Sequence, residues 1–341
     1  MVTLGGVSIS ASTRHTPILI AHRGASGHRP EHTLASYELA ARMGADYLEP
    51  DVVSTADGVL VCRHENDVSG TTDVAAHAEF ADRRVTKVID GKEVTGWFTE
   101  DFTLAELRTL RAVERLPQLR AGNTSYDGRV TVPTLAEVLE LRARLSAELD
   151  RPIGVYVETK HPTYFEQAGL PLEDPLAADL RAAGLGEVTC DDAFPLVYLQ
   201  CFEHGSLHRL RHELGLGAPR IFLVEHPAPG LFTAAGLQDL ASRVEGIGPD
   251  KALVMDWSQE DGGARPADWL AHARSLGLHV HPWTFRSENA FLPGALRGPG
   301  GPADHGRVVE EMLTHLRAGV DGLFTDHPDL GVQALRTFAA G

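Results

Sequence analysis

The chain has 341 residues, 43% hydrophobic and 23% charged, enough to bury a core the size of a barrel. Its formal net charge of −16 argues against a nucleic acid or an anionic membrane surface as the main partner, because the global field repels polyanions. Cys62, Cys190 and Cys201 make neither a disulfide framework nor a zinc pattern, and no run approaches the ~18 apolar residues of a membrane-spanning helix. Residues 1–16 have neither a basic start nor an apolar stretch, so no signal peptide is expected in this chain. The compartment stays open: cytoplasmic if the start is native, secreted or periplasmic if this is a mature form. The oligomeric state is not legible.

Pro17 to Ala21 is a short apolar run that reads as a buried strand. It ends in the polar, glycine-containing stretch His22-Arg23-Gly24-Ala25-Ser26-Gly27. Thr33 caps a helix through Met43, with Leu34, Tyr37 and Ala41 at helical spacing and Gly44 as the stop. Residues 46–53 give a second strand, and the unit is β-α-β. The Asp57-Gly58 turn sends Val59 to Cys62 back as an excursion that delivers His64 and Glu65. Residues 54–131 read as an insertion, mostly loop, and Thr103-Leu104-Ala105-Glu106 opens a short helix within it as a capping box. A second capping box, Thr134-Leu135-Ala136-Glu137, opens the next helix. A regular rhythm follows. Strands are expected at 153–157, 196–200, 220–224, 252–255, 278–281 and 320–324. Helices are expected near 174–184, 205–214, 231–242, 266–276 and 306–317, and at the C-terminus. About eight strand–helix units over a single domain, 1–341, fit a (β/α)8 TIM barrel with an insertion after the second strand. An open doubly wound sheet ranks lower because no glycine fingerprint follows the first strand.

A barrel carries its chemistry at the C-terminal ends of its strands. The first strand ends in His22-Arg23. The second carries Glu49 and Asp51 at i and i+2, side chains that share a face of the strand. The third ends in Glu158-Thr159-Lys160, and the excursion adds His64. Glu49, Asp51 and Glu158 offer three carboxylates to one hard divalent cation, Mg²⁺ or Ca²⁺. Zinc is disfavoured because no cysteine lies among them. Arg23 presents a planar fork suited to a phosphate, and Lys160 a second positive group. His22 and His64 are the natural acid/base pair. This is equipment for phosphodiester cleavage. Other positions have plainer readings. Glu31 either orients Arg23 or starts a helix. His279 and His281 are more often core groups than a metal site, and Asp326-His327 reads as a helix cap. His161 and Tyr164 shape the rim, and Trp97 and Phe98 pin the insertion rather than cover the cleft.

The motif set resembles the glycerophosphodiester phosphodiesterase family. The resemblance rests on His22-Arg23-Gly24, Pro30-Glu31-His32-Thr33, Glu49-Pro50-Asp51, Asp57-Gly58 leading to Arg63-His64-Glu65, and Val157-Glu158-Thr159-Lys160. Weaker agreement continues through Leu199 to Glu203, His281 to Thr284 and Gly322 to Asp326. It implies a barrel, a divalent cation at Glu49, Asp51 and Glu158, and acid/base histidines at His22 and His64. It further implies phosphate contacts from Arg23 and Lys160, with Phe202 and Trp283 walling the glycerol or alcohol side. The insertion is similar to that of the larger, often exported bacterial members, where calcium is common and is slightly favoured here over magnesium. Two departures stand out. His32 replaces a usual Asn, a change expected to loosen its loop, and Cys201 replaces a common Ser. The expected reaction is metal-dependent hydrolysis of a glycerophosphodiester to glycerol 3-phosphate and an alcohol. Three alternatives stay open. A lysophospholipase D-type enzyme would differ only in the groups flanking the phosphate. A barrel amidohydrolase would need a first-strand His-x-His. A non-catalytic barrel that binds phosphorylated alcohols would have no need of two histidines.

Overall fold

The structure, a computed structural model, describes residues 16–258 and 263–341; the stretch read for a signal peptide lies, but for Thr16, outside the described residues. β1 (Ile18–His22) leads to α1 (Leu34–Met43). Pro50 splits the next stave into β2 (Tyr47–Glu49) and β3 (Asp51–Ser54), and β4 (Leu60–Cys62) folds back. β5 (Val85–Ile89), β6 (Lys92–Gly96), α2 (Leu104–Leu107) and α3 (Leu135–Glu148) precede β7 (Gly154–Thr159). Then come α4 (Pro162–Gln167), α5 (Glu173–Ala182), β8 (Val197–Cys201), α6 (His204–His212), β9 (Arg220–Val224), α7 (Ala234–Ala241) and β10 (Gly246–Pro249). The short strands β11 (Met255–Asp256) and β12 (Arg265–Pro266) are followed by α8 (Trp269–Ser275), β13 (His279–Val280), α9 (Val308–Ala318), β14 (Gly322–Thr325) and α10 (Pro328–Ala340).

The staves lie side by side in chain order, β13-β10-β9-β8-β7-β2-β1-β14, and all these pairings are parallel. The ring closes between the seventh and eighth staves. Phe285 and Thr325 form a parallel bridge, and the N–H groups of Asp321 and Phe324 donate to the carbonyls of Val280 and Pro282 at 2.9 and 3.1 Å. Eight parallel staves with helices between them make a (β/α)8 TIM barrel. Local signals agree with it. Thr33 caps α1 and Gly44 ends it at φ 106, and both capping boxes form.

The sixth stave corrects the expectation at 252–255. It is Gly246–Pro249; Lys251–Leu253 is a 3-10 turn, and Met255–Asp256 pairs antiparallel with Arg265–Pro266. The reason is steric. A Cβ at Gly246 would lie 2.5 Å from Ile221 Cδ1, and one at Gly248 2.6 Å from Leu223 Cδ2. The stave therefore lacks the apolar run that marks a strand. In the stretch 54–131, β3 and β4 pair around Asp57-Gly58. β5 and β6 form a further hairpin, turned by Asp90 and Gly91 at φ 48 and 78, a two-residue turn of the kind that matches strand twist. Phe98 is fully buried and the Trp97 indole donates to the Phe80 carbonyl at 2.7 Å, so this pair pins the stretch.

Inside the barrel, Ile20, Tyr47, Tyr156, Tyr198, Ile221 and Phe324 pack as one cluster, with Tyr156 and Tyr198 stacked at 4.8 Å. Side chains two apart share a face. Two residues further along, five of these six staves change character, to His22, Glu49, Glu158, Gln200 and Asp326, while Leu223 follows Ile221. The aromatic layer is thus the floor on which the polar mouth stands.

Candidate active site

The mouth opens into a cleft of about 770 Å³ lined by His22, Arg23, Glu49, His64, Glu158, Lys160, Phe202 and Trp283, among others. Asp51, fully buried, lies beneath it. Pairing of β3 with β7 sets Asp51 directly opposite Glu158, and pairing of β1 with β2 sets His22 opposite Glu49. Ligand oxygens of Glu49, Asp51 and Glu158 all lie within 4.8 Å of one another, the one such acidic or imidazole group among the described residues.

Each carboxylate is held on one side. Glu49 accepts from Gln200 Nε2 at 2.9 Å and from the Arg23 N–H at 2.8 Å. Glu158 Oε1 accepts from Lys160 Nζ at 2.7 Å. Asp51 Oδ2 accepts from His32 Nε2 at 2.9 Å, while Asp51 Oδ1 is buried with no hydrogen-bond partner. Burial, with Asp51 and Glu158 as like-charged neighbours, pushes Glu49 well above the usual carboxylate range. Burial and Asp51 push Glu158 up to about 8 against the opposing pull of Lys160. Burial would raise Asp51 too, but Lys160 and His32 outweigh it and hold it well below the ordinary value. Crowded carboxyls with an unpartnered buried oxygen fit a hard cation, which relieves their repulsion and takes oxygen ligands.

His22 Nδ1 donates to Asp326 Oδ1 at 2.6 Å, which leaves Nε2 as an acceptor for Arg23 Nε at 3.2 Å. Burial, with the Arg23 charge, lowers its pKa to about 4, so the ring is neutral with its lone pair toward the mouth. Asp326 is the correction to the cap reading. It is a buried carboxylate that also accepts from Arg120 and Arg286 at 2.6 and 2.8 Å. His64 Nδ1 donates to Glu65 at 2.5 Å, and the loss of water together with Arg23 and Lys160 depresses its pKa. Its side chain keeps 30% of its surface exposed, at the edge of the cleft.

Arg23, at φ 60, reaches Glu31 at 3.2 Å, and Arg115 bridges Glu31 and Glu65 at 2.7 and 2.6 Å. Glu31 therefore orients Arg23 rather than merely preceding a helix. Lys160 lies 5.7 Å over the Phe202 ring. Phe202 meets Trp283 edge-on at 6.0 Å, and the Trp283 indole is tied to the Gly248 carbonyl at 2.7 Å. His32 overturns the expectation of a loosened loop: it is fully buried with both ring nitrogens engaged. His281 is a core group hydrogen-bonded to the Tyr156 hydroxyl at 2.9 Å. His161 contacts Asp90 at 2.6 Å on the rim. Sequence reasoning missed Gln200, Asp326, Arg115 and Arg120. The strand-end rule could have found Asp326 and Gln200; the arginines carry no local signal.

Comparison with known proteins agrees with this geometry. The family model for the glycerophosphoryl diester phosphodiesterase family matches residues 22–330. A glycerophosphodiester phosphodiesterase of Arabidopsis thaliana is 33% identical over 91% of this chain and 83% of its own length. The crystal structure of a Silicibacter pomeroyi protein superposes with a TM-score of 0.66 at 22% identity, covering 95% of this chain and 94% of that one. An Oleispira antarctica phosphodiesterase, solved with its product sn-glycerol-3-phosphate, superposes at 0.61 with 20% identity, covering 94% and 97%; these two likenesses speak for the barrel. The family match spans every motif at the mouth, and on that ground the chain belongs to the glycerophosphoryl diester phosphodiesterase family of hydrolases.

Proposed function

We propose that this protein hydrolyses glycerophosphodiesters to glycerol 3-phosphate and an alcohol. In this reading Glu49, Asp51 and Glu158 hold one divalent cation, Ca²⁺ or Mg²⁺, and His22 and His64 move the protons. The observation that carries the reading is Asp51 Oδ1, a buried carboxylate oxygen with no donor, grouped with two further carboxylates below His22, whose Nε2 is the unprotonated ring nitrogen and accepts only from Arg23. A bound cation would supply positive charge to the phosphoryl oxygens. Arg23 and Lys160 would hold the phosphate from the protein side. One histidine takes the proton from the nucleophile, water or the neighbouring glycerol hydroxyl, as its oxygen bonds to phosphorus. The other donates a proton to the alcohol oxygen as that P–O bond breaks. Phe202 and Trp283 would wall the glycerol or alcohol side. The product bound to the Oleispira antarctica enzyme supports glycerol 3-phosphate as the product here.

Turnover of glycerophosphocholine tests this directly. Chelation abolishes it and added Ca²⁺ or Mg²⁺ restores it; full turnover in chelated protein refutes the carboxylate assignment. His22→Ala and His64→Ala each lower turnover by about 10²–10⁴. Near-normal rates in both would end the acid/base assignment.

A further inference from the structure

We propose that His32 is a positioning residue that reserves Asp51 for the cation; this rests on reading Glu49, Asp51 and Glu158 as a metal site. His32 sits between β1 and α1 at φ 51, a left-handed conformation that histidine adopts more readily than most residues, and it is fully buried. The loop is fixed there from outside. Arg63 Nη1 donates to the carbonyls of Glu31 and His32 at 3.3 and 3.1 Å, and the His32 N–H donates to the Arg23 carbonyl at 3.0 Å. The ring is then pinned at both ends, with Asp51 Oδ2 2.9 Å from Nε2 and the Tyr37 hydroxyl 2.6 Å from Nδ1. A carboxylate only accepts, so Nε2 carries a proton and donates it to Asp51.

What this arrangement provides is a fixed donor to one oxygen of Asp51. Two cationic side chains stand within reach of the same carboxylate: Arg23 Nε is 3.6 Å from Oδ2 and Lys160 Nζ is 4.0 Å from Oδ1. Both already pair with Asp51 at long range, and either could close to a direct hydrogen bond and consume the oxygen that a metal needs. The ring N–H fixes Oδ2 and keeps Oδ1 without a hydrogen-bond partner. An apolar side chain at position 32 would free Asp51 to swing to Arg23 or Lys160. Loss of such supporting partners typically weakens metal binding by about 10–100-fold.

The test is calorimetric titration of the chelator-treated full chain with CaCl₂ and, separately, MgCl₂, alongside the melting temperature of each metal-free variant. His32→Leu should weaken cation binding by about 10–100-fold. His32→Asn, which keeps one N–H, should recover part of that loss, and Tyr37→Phe should weaken binding in the same direction. A purely structural role predicts lower melting temperatures with cation Kd values within about twofold of wild type, and that result overturns the inference. Should His32→Leu fail to fold, an unchanged Kd in Tyr37→Phe overturns it equally. Wild-type protein that takes up neither cation refutes the metal reading itself, a failure distinct from unchanged Kd values in the variants.

Discussion

Asp326→Asn isolates what the carboxylate behind His22 contributes. In the wild type, Asp326 accepts the His22 Nδ1 proton at 2.6 Å. Burial would raise the acid's pKa, but Arg286 and Arg120 outweigh it and keep the group ionised. In the proposed reaction His22 takes a proton, and an imidazolium would then form against that carboxylate. Unit charges ~4 Å apart at an effective dielectric near 20 attract by about 4 kcal/mol. Arg120 and Arg286, at 2.6 and 2.8 Å from Oδ2, already engage part of that charge, so about half of it, ~2 kcal/mol, is a fair lower bound. The amide adds a second loss, since it can donate to Nδ1 and turn the Nε2 lone pair into an N–H; wrong-tautomer effects of this kind reach ~10⁴ in kcat elsewhere. The expected drop in kcat is therefore about 10²–10⁴, or ~3–5 kcal/mol. KM should change little, because Asp326 does not line the cleft. Steady-state kinetics on glycerophosphocholine, with a thermal melt to establish folding, decide it. A folded Asp326→Asn protein with kcat within threefold of wild type would refute the assignment of tautomer control to this residue.

Stability should fall in acid. Burial lowers His22, His315 and His327 each to about 4, below the ordinary 6.5, so the unfolded chain binds these protons first as pH drops. Their contribution is complete above pH ~6.5 and is lost progressively towards pH ~4, at most about 3 kcal/mol per group. Urea midpoints at several pH values across that window should decrease steadily, and a flat profile contradicts it. Gly246→Ala places a Cβ 2.5 Å from Ile221 Cδ1 and 2.8 Å from the His279 carbonyl oxygen. It should cost about 1–3 kcal/mol, read as a shift in the same midpoints; no shift would mean the sixth stave can move.

Much of the barrel was legible because its first five staves are short, mostly apolar runs buried on both faces. The sixth escaped because Gly246 and Gly248 yield to the side chains of Ile221 and Leu223, a constraint set by a neighbouring stave and invisible locally. The β5–β6 hairpin read as loop because both strands lie largely exposed and lack the alternation that marks a strand. At the mouth, charged residues at strand ends pointed to the cleft. Asp326 obeyed the same rule, but an acid just ahead of Pro328 also looks like a helix start, and the nearer signal won. Gln200 and His32 act through carboxylates contributed by other staves, so no sequence pattern links them to what they hold.

The His22–Asp326 contact joins residues 304 positions apart, on the first and last staves. A chain still emerging from the ribosome, or one clipped before β14, has no partner for this imidazole. Under the proposed role of His22, competence for turnover should arrive only with the final stave, and recovery of activity during refolding should report completion of the ring rather than growth of helix content.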